Sequence, residues 1–481
     1  MTHRIERKKW ILYRHTSSFD LVTAVAVNLK YFSKTSISKK DKLELLKKLK
    51  TLAYYSERNP ELPLDSINHR INTLAYFMFG YKAKVDGQDR FLYSPLGNLF
   101  LKNLGDKEKL SKIFFTMLWA VQFEHPHGGS DKAFNLFLFR LVFKLLSDKR
   151  LNKKLFAFEM AYLVVFTEEA SEKQYENLVK KILEMRTWSD SKIEKKFLED
   201  VHSYVNATYE WDYYLSRLFK DAGVIDIEEG EVICQLPHGK NTLRKLTRNS
   251  VSITEELQDY CNLLLKKYPF DEEPLQLDDS ERMKMDVIKE IYSFYPIELL
   301  KEIGEAQDNF KLELLRLPKL IEQYANNNEG VEAYKFEDIL VEGFNMFYNV
   351  EAKRISGAGN TDIECLYLTR KKKFAVDAKS TKNKLSGLNA GRLAQHRSKI
   401  GGDYTIVVTP RYVPAVLHDI KSTPIVIIRA NTFSEYLYNC IDNNVREIDY
   451  SDFDKIITKN FGTDISSKIS TLTIETFAAK S

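Results

Sequence analysis

The chain has 481 residues, 44% of them hydrophobic, and a formal net charge of +5 at pH 7. This length exceeds what one hydrophobic core usually holds, so we expect two to four domains, and the apolar fraction is ample for packed cores. So small a net charge excludes nucleic-acid binding through overall charge alone, and any such affinity must come from local basic patches.

The cysteines and the apolar stretches exclude several other classes of protein. The four cysteines stand far apart, without a CxxC pair, at Cys234, Cys261, Cys365 and Cys440. This spacing argues against a zinc ribbon and a disulfide framework, and it is typical of a reducing compartment. Residues 1–10 are too charged for a signal peptide. The most apolar stretch, 134–146, is interrupted by Asn135, Arg140 and Lys144, so we predict a buried helix and no membrane span.

Residues 1–165 begin with helical, lysine-rich segments. A helix over 66–79 is predicted to lead into a β-ribbon, and Ser94 and Pro95 suit the N-cap and the first position of the next helix. Helix, ribbon and helix outline a winged helix, in which a helix enters the major groove and the ribbon lies along the DNA backbone. We interpret 1–165 as a winged-helix-like DNA-recognition domain, although an ordinary hairpin on a helical domain fits equally well. The candidate DNA-binding residues of this ribbon are Lys82, Lys84 and Arg90.

Residues 166–250 contain a second candidate of the winged-helix kind. A helix over 211–219 ends near Gly223, which suits the position after a helix C-cap. The segments 224–227 and 231–236 are predicted to pair with each other as a hairpin. Closely spaced cations can each neutralise a DNA phosphate, so this region is interpreted as a second DNA-recognition domain. Its candidate DNA-binding residues are Arg217, Lys240, Arg244, Lys245 and Arg248.

A helical connector and a polar linker follow. Residues 251–329 are predicted to be helical, with interruptions near Pro269 and Pro296. The run Asn-Asn-Asn-Glu-Gly at 326–330 is the best linker in the chain, so the boundary to the last domain, 330–481, is placed there.

Two predicted strands in the last domain bring charged residues together. Residues 363–369 and 373–378 are rich in β-branched, aromatic and aliphatic side chains, and a polar turn joins them. Because strand side chains alternate, Asp377 and Lys379 must point to the same face. If the turn is a two-residue loop, Asp362 pairs opposite Lys379 and lies diagonally beside Asp377.

This patch suits a divalent metal and a phosphodiester. Mg²⁺ prefers oxygen ligands and keeps waters and phosphate oxygens in its remaining positions. Asp362 and Asp377 supply carboxylates, and the backbone carbonyl of Ala378 lies where it could complete the set. Lys379 could orient or deprotonate the attacking water, so we predict Mg²⁺-dependent phosphodiester hydrolysis. A structural ion pair is the alternative, since the Asp/Glu-x-Lys pattern recurs in this charged chain, for example at 351–353.

The arrangement of Asp362, Asp377 and Lys379 on a hairpin resembles the nuclease core of the PD-(D/E)XK superfamily. A helix over 334–348 precedes these residues, and a helix, a buried strand and a second strand–helix pair follow, in the order αβββαβ of that superfamily. The resemblance implies a C-terminal α/β nuclease domain with Mg²⁺ as its cofactor. It also implies that Glu337 adds an acidic residue to the catalytic set.

Within that superfamily the chain resembles type IIS restriction endonucleases of the FokI kind, whose nuclease domain also lies at the C-terminus behind a separate DNA-reading region. A looser resemblance lies at Gln122 to Pro126, where a Gln-x-x-x-Pro segment follows the winged-helix unit, as in type IIS enzymes and strand-specific nicking relatives. These resemblances imply a cytoplasmic prokaryotic enzyme that cuts double-stranded DNA at a fixed offset from an asymmetric site.

One site of this kind hydrolyses one strand at a time. A double-strand break therefore needs a second site, supplied by a transient homodimer or by a smaller nuclease subunit. The resemblance favours the large, strand-nicking subunit of a heterodimeric enzyme. Two alternatives stay open, a structure-specific repair or recombination nuclease and a catalytically silent DNA-binding protein.

Overall fold

The computed structural model groups the chain into two compact units. The described residues are 7–13, 16–52, 55, 61–85, 87–127, 132–239, 242–277, 284–305, 309–326, 333–355 and 359–478. The first unit comprises Met1–Ala83, Arg90–Leu277 and Ile291–Ile303, and the second comprises Lys84–Asp89, Asp278–Glu290 and Gly304–Ser481. Of the predicted linker 326–330, residues 327–330 lie outside the described residues, as does the candidate Lys240.

Helices predominate, and strands form small sheets in the first unit and one larger sheet in the second. The helices are α1 (Phe19–Tyr31), α2 (Lys39–Leu49), α3 (Pro63–Tyr76), α4 (Pro95–Lys102), α5 (Lys107–Trp119), α6 (Leu138–Ser147), α7 (Ala157–Tyr162), α8 (Glu172–Met185), α9 (Asp190–Glu199), α10 (Val201–Glu210), α11 (Ser216–Asp221), α12 (Glu255–Lys267), α13 (Lys284–Tyr292), α14 (Ile297–Glu302), α15 (Asn309–Ala325), α16 (Ala333–Asn345), α17 (Ala390–Lys399), α18 (Val416–Ile420), α19 (Ala430–Asp442), α20 (Ser451–Lys459) and α21 (Ser466–Ala478). The strands are β1 (Gly80–Val85), β2 (Gln88–Tyr93), β3 (Leu155–Phe156), β4 (Ile225–Glu228), β5 (Val232–His238), β6 (Thr242–Thr247), β7 (Ser250–Ile253), β8 (Val350–Arg354), β9 (Ile363–Tyr367), β10 (Lys372–Ala378), β11 (Thr405–Thr409) and β12 (Ile425–Arg429).

The predicted succession of helix, ribbon and helix near the start of the chain is present. α3 precedes the two-stranded sheet of β1 and β2, and α4 follows it. Ser94 caps α4, since its Oγ accepts a hydrogen bond from the Gly97 N–H at 2.9 Å, and Pro95 lies in the first turn. The predicted cap of this helix is therefore confirmed.

The apolar stretch 134–146 forms a buried helix, as predicted, over its second part in α6. Arg140 of α6 is only 2% exposed, and its guanidinium is satisfied within the protein because Nε donates to the Trp119 carbonyl at 2.8 Å. Across the described ranges, no helix combines the length and the apolar content needed to cross a bilayer.

The second predicted hairpin is wrong. β4 pairs antiparallel with β7 and not with β5, and β3, β7 and β4 form a three-stranded sheet. β5 pairs with β6 instead, through a connection that begins at Gly239, whose φ of +71° favours glycine. The sequence prediction overlooked 242–247 as a strand, and the connections on either side of β5 are equally long, so loop length does not decide which neighbour it pairs with.

Two further observations in this region bear on the predictions. Gly223 follows α11 with a φ of +71°, which confirms its predicted place after a helix C-cap. β3 comes from the predicted segment 1–165 and β4 from 166–250, and both pair with β7. These two segments therefore contribute to one sheet.

A five-stranded sheet in the order β12-β11-β10-β9-β8 forms the centre of the second unit. β8, β9 and β10 are antiparallel neighbours, whereas β10, β11 and β12 run parallel. Every residue of β11 is buried, as expected of a parallel strand covered on both faces. The elements α16, β8, β9, β10, α17 and β11 follow one another in the predicted order of helix, three strands, helix and strand.

Alternate residues of this sheet enter two hydrophobic cores on opposite faces. Ile406 and Val408 pack with residues of α15, α16 and α19, whereas Val407 packs with Leu393 of α17 and Val416 of α18. Asp377 of β10 is the register partner of Val407. Since paired residues share a face, the Asp377 carboxylate lies on the side that α17 and α18 cover.

A buried histidine fixes the loop after α5. His125 is 3% exposed, and its Nδ1 accepts a hydrogen bond from the His127 N–H at 2.8 Å. Nε2 therefore carries the proton and donates to the Tyr76 carbonyl, 3.0 Å away, while the two rings stack with centroids 4.8 Å apart. Burial lowers the pKa of His125 to about 3 and that of His127 to about 4.

Acid should destabilise the protein through these histidines. Their folded-state pKa values lie below the unfolded value of about 6.5, so the stability they contribute is complete above that pH and is lost as the pH falls below it. We expect the thermal unfolding midpoint to fall between about pH 7.5 and about pH 5, and His125→Asn, although less stable at the higher pH, to lose less over this interval. The exposed His69→Asn is the control, and an equal loss in His125→Asn and the wild type would contradict this role.

Candidate active site

The strands β9 and β10 bring two acidic residues to one edge of the central sheet. β10 is buried from Phe374 to Asp377, between β11 on one side and β9 on the other. Asp377 lies near the end of β10, and Asp362 directly precedes β9. Because β9 runs antiparallel to β10, the start of one lies beside the end of the other, and the two carboxylates meet.

The predicted pairing of Asp362 with Lys379 is wrong by two residues. Val376 pairs with Ile363, so the same register extended by one residue sets Asp362 opposite Asp377. A shift of two residues keeps each side chain on its own face of the sheet, whereas a shift of one would reverse it. The prediction that the two acids and Lys379 share one face is therefore compatible with the observed register.

The turn between the strands causes the difference. The connection is a 3₁₀ turn, Leu368–Arg370, followed by Lys371 in the left-handed region with a φ of +51°, and not a two-residue loop. The fully buried carboxylate of Asp454 lies 3.2 Å from Arg370 and 3.5 Å from Lys372. A residue of α20, distant in sequence, thus holds both sides of the turn.

Direct contacts hold the charged groups of the site. Lys379 Nζ lies 2.5 Å from Asp377 Oδ2, and Asp377 is 4% exposed. The Ala378 N–H donates to Asp362 Oδ2 at 2.8 Å, whereas the Lys379 N–H donates to the Val408 carbonyl in β11 at 2.9 Å. Because backbone groups alternate in direction along a strand, the Ala378 carbonyl shares the side of its own N–H, towards Asp362.

The two carboxylates disfavour each other's charge. Burial and, second, the negative charge of Asp377 raise the pKa of Asp362 to about 6, while Lys379 and the Ala378 N–H oppose the rise. A bound cation would relieve both the repulsion and the loss of hydration. The site is therefore electrostatically prepared for positive charge.

The available ligands fit Mg²⁺. Asp377 Oδ2 contacts Lys379 but accepts no well-aligned hydrogen bond from any described residue, so this buried oxygen retains capacity for a ligand. Asp362 and the Ala378 carbonyl add oxygen atoms on the same side. Within the described ranges, no three His, Cys, Asp or Glu side chains converge as a metal site. Two carboxylates and one carbonyl form the sparse oxygen set that Mg²⁺ commonly uses together with waters.

Glu337, the other predicted acidic residue, lies near the site without joining this ligand set. It is half-buried in α16, and burial raises its pKa while Arg354 opposes the rise. Asp377 and Lys379 also act on it electrostatically. Because no three acidic side chains cluster among the described residues, Glu337 acts on the site through its charge and not as a third ligand.

Sequence reasoning missed the residues of α17 beside the carboxylates. His396 is 6% exposed, its Nδ1 has no hydrogen-bond partner in the described part of the chain, and its charge interacts with those of Asp377 and Lys379. Lys399 Nζ donates to the Gly359 carbonyl at 2.6 Å, in the loop before Asp362. The helical spacing of basic residues after the Asp-x-Lys motif was the signal that could have revealed them.

The candidate DNA-binding residues of the first ribbon differ in availability. Lys82 Nζ contacts Asn72, and burial lowers the pKa of Lys82 to about 8. Arg90 Nη1 donates to the Lys34 carbonyl at 3.2 Å. Lys84 is exposed. The ribbon thus offers the Lys84 ammonium to solvent, while Lys82 and Arg90 also bind neighbouring parts of the protein.

The candidates around β5 and β6 also separate into two groups. Arg248 forms a 2.6 Å ion pair with the first residue of α9, and the Arg244 guanidinium lies 4.4 Å from the centre of the Tyr209 ring. Arg217 and Lys245 are exposed. Arg248 and Arg244 therefore support the fold, whereas Lys245 presents its ammonium at the surface. The exposed Arg217 also donates from Nε to the Asp212 carbonyl at 3.2 Å.

Comparison with known proteins adds sequence relatives to this geometry. Residues 5–268 match the family described as "Type II restriction endonuclease HgaI, N-terminal domain". The type II restriction enzyme HgaI of Avibacterium volantium is 45% identical over 477 residues, which cover 97% of this chain and 97% of that protein.

Solved structures give weaker similarities. The restriction endonuclease FokI aligns with a TM-score of 0.25 and 9% identity, over 96% of this chain and 100% of that chain. The BpuJ1 endonuclease binding domain, solved in complex with modified DNA, aligns with a TM-score of 0.34 and 14% identity, over 60% of this chain and 94% of that chain. Both TM-scores are low, so the assignment depends on the sequence relatives. On their identity and coverage, the chain belongs to the HgaI family of type II restriction endonucleases.

Proposed function

We propose that this type II restriction endonuclease is a type IIS enzyme with a PD-(D/E)XK nuclease domain, which hydrolyses one phosphodiester of double-stranded DNA with Mg²⁺ at a fixed offset from an asymmetric site. The observation that carries this proposal is the placement of Asp362 and Asp377 on adjacent strands, with Lys379 Nζ 2.5 Å from Asp377 Oδ2. Family membership supplies the substrate class, because the relative is named as a restriction enzyme.

The residues of the chain have separate tasks in this proposal. Asp362, Asp377 and the Ala378 carbonyl would hold Mg²⁺, and the ion would supply Lewis-acid stabilisation of charge on the phosphodiester. Lys379 is held beside Asp377 with its side chain 35% exposed, so it can orient an attacking water and stabilise the phosphate oxygens. Glu337 adds negative charge near the site. A catalytically silent protein would have no need to keep the buried Asp377 beside a second, half-buried carboxylate that repels it.

DNA reading belongs to the first two predicted segments, 1–165 and 166–250, in this proposal, and 251–329 connects them to the nuclease. Support comes from the match of the family's N-terminal domain to residues 5–268 and from the exposed cations Lys84, Arg217 and Lys245. The ribbon of β1 and β2 between two helices favours a winged-helix-like module for the first segment. In this proposal the reading segments recognise the sequence and residues 330–481 cut outside it, as a fixed offset requires.

Removing either carboxylate should abolish cleavage and leave specific DNA binding intact. Asp377→Asn and Asp362→Asn keep the side-chain volume but remove a negative ligand, so we expect at least about a thousandfold loss in cleavage rate on plasmid DNA with Mg²⁺. Glu364→Gln is the matched control, because this glutamate on β9 pairs with Lys353 and Lys373 instead of the candidate metal ligands. If both asparagine variants cut at nearly the wild-type rate, the active site has been assigned wrongly.

The chain acting alone should nick one strand. One candidate site per chain and an asymmetric reading region present the scissile phosphate of only one strand to Asp362 and Asp377. We expect a nicked circle from supercoiled plasmid, with every nick on the same strand at a fixed distance from one sequence. Linear DNA should require a smaller nuclease subunit or a transient homodimer at high concentration. Run-off sequencing of both strands decides the matter, since equal cutting of both by dilute protein would contradict single-strand action.

A further inference from the structure

The ribbon of β5 and β6 has two different faces. In its register Gln235 pairs with Lys245, and Pro237 pairs with Leu243. Since paired residues share a face, these four side chains form one surface, which we call the outer face. All four are exposed, and Leu243 is 58% exposed. Leu243 has the highest exposed fraction among the exposed large hydrophobic side chains of the described residues.

The opposite face anchors the ribbon to α10 and the π-helical segment Trp211–Leu215 that follows it. Leu236 and Leu246 are buried beneath the ribbon. Arg244 lies over Tyr209 at 4.4 Å, and the His238 ring lies 4.9 Å from the same tyrosine. These contacts keep the ribbon in place before any ligand binds, which lowers the entropic cost of recognition.

The positive charge of the ribbon suits a polyanionic partner. From residue 232 to residue 249 the sequence contains no Asp or Glu, but it contains two lysines and two arginines. Lys245 is exposed on the outer face, and its N–H donates to the Tyr213 hydroxyl at 3.0 Å, which fixes the backbone beneath it. Exposed Arg217 lies on α11, with its guanidinium 5.7 Å from the Tyr213 ring centre.

We infer that the outer face of this ribbon enters the major groove and reads base pairs of the recognition site, through Gln235, Lys245 and Leu243. This inference rests on the proposed function, because it presumes that the chain binds duplex DNA. Two strands about 4.8 Å apart fit, with their side chains, into a groove about 12 Å wide. The winged-helix expectation placed a ribbon on the DNA backbone, whereas the outer face here carries groups that suit base edges.

Each outer-face side chain has a matching base edge. The Gln235 amide can donate to and accept from the N6 and N7 positions of adenine. Lys245 can donate to O6 and N7 of guanine, and Leu243 offers an apolar contact to the methyl group of thymine. Pairing across the ribbon sets Gln235 beside Lys245, so the base pairs they read are the same or adjacent.

The experiment measures base preference position by position in the full-length protein. Wild type and the variants Gln235→Ala, Lys245→Ala and Leu243→Ala cut a library of random sequences with Mg²⁺, and the cut products are sequenced. Leu263→Ala and Lys266→Ala are the matched controls, because both are exposed on α12 and belong to no ribbon. The mutated positions are all exposed, and unfolding midpoints verify that each variant folds.

We expect each ribbon variant to lose about tenfold discrimination at one or two adjacent positions of the site and to keep the rest. Gln235→Glu should change the preference at its position from adenine towards cytosine, since a carboxylate accepts from the N4 amino group. The controls should match wild type. Unchanged base preference in all ribbon variants, or a uniform loss at all positions, would overturn the inference and leave the nuclease assignment intact. A wild-type chain without any preferred sequence would instead refute the proposed function.

Discussion

The enforced proximity of Asp362 and Asp377 is the constraint on which the second unit depends. Asp377 is buried near the end of β10, Asp362 is half-buried just before β9, and burial with the charge of Asp377 raises the pKa of Asp362 to about 6. Two donors offset part of this repulsion. Lys379 Nζ lies 2.5 Å from Asp377 Oδ2, and the Ala378 N–H donates to Asp362 Oδ2 at 2.8 Å. The fold must supply the remaining stability. The same charge that makes the two carboxylates repel each other prepares the site for a cation, so the local cost and the proposed chemistry have one origin.

The surrounding sheet supplies that stability. β10 lies between two neighbours, and its parallel partner β11 is buried along its whole length. At the far end of β9 and β10, Asp454 of α20 binds both Arg370 and Lys372 and fixes the turn that sets the register. Register at one end of a hairpin thus determines which side chains meet at the other. α17 covers the face that carries Asp377 and contributes His396, whose charge interacts with that of Asp377.

The cationic side chains of the first unit differ in whether the protein itself binds them. Arg248, Arg244 and Arg140 bind carboxylates, aromatic rings or carbonyls within the protein, which makes them part of the fold. Lys245 stays at the surface, where a polyanion can reach it, and Arg217 is also exposed although its Nε donates to the Asp212 carbonyl. A guanidinium that is already paired would have to give up its partner before it could contact phosphate, so proximity in sequence to other cations is a poor guide to DNA contact.

The sequence by itself determined the elements of the nuclease-like sheet, the cap at Ser94 and the chain's family resemblance, because strand alternation, helix capping and motif spacing are local properties. It also identified Asp362, Asp377 and Lys379 as a group, since side chains two apart on a strand share a face. Only the tertiary structure decided the register, because Asp454 lies more than eighty residues beyond the turn it holds. Likewise β4 pairs with β7 and not with β5, and this pairing depends on tertiary packing and not on the sequence distance between the strands.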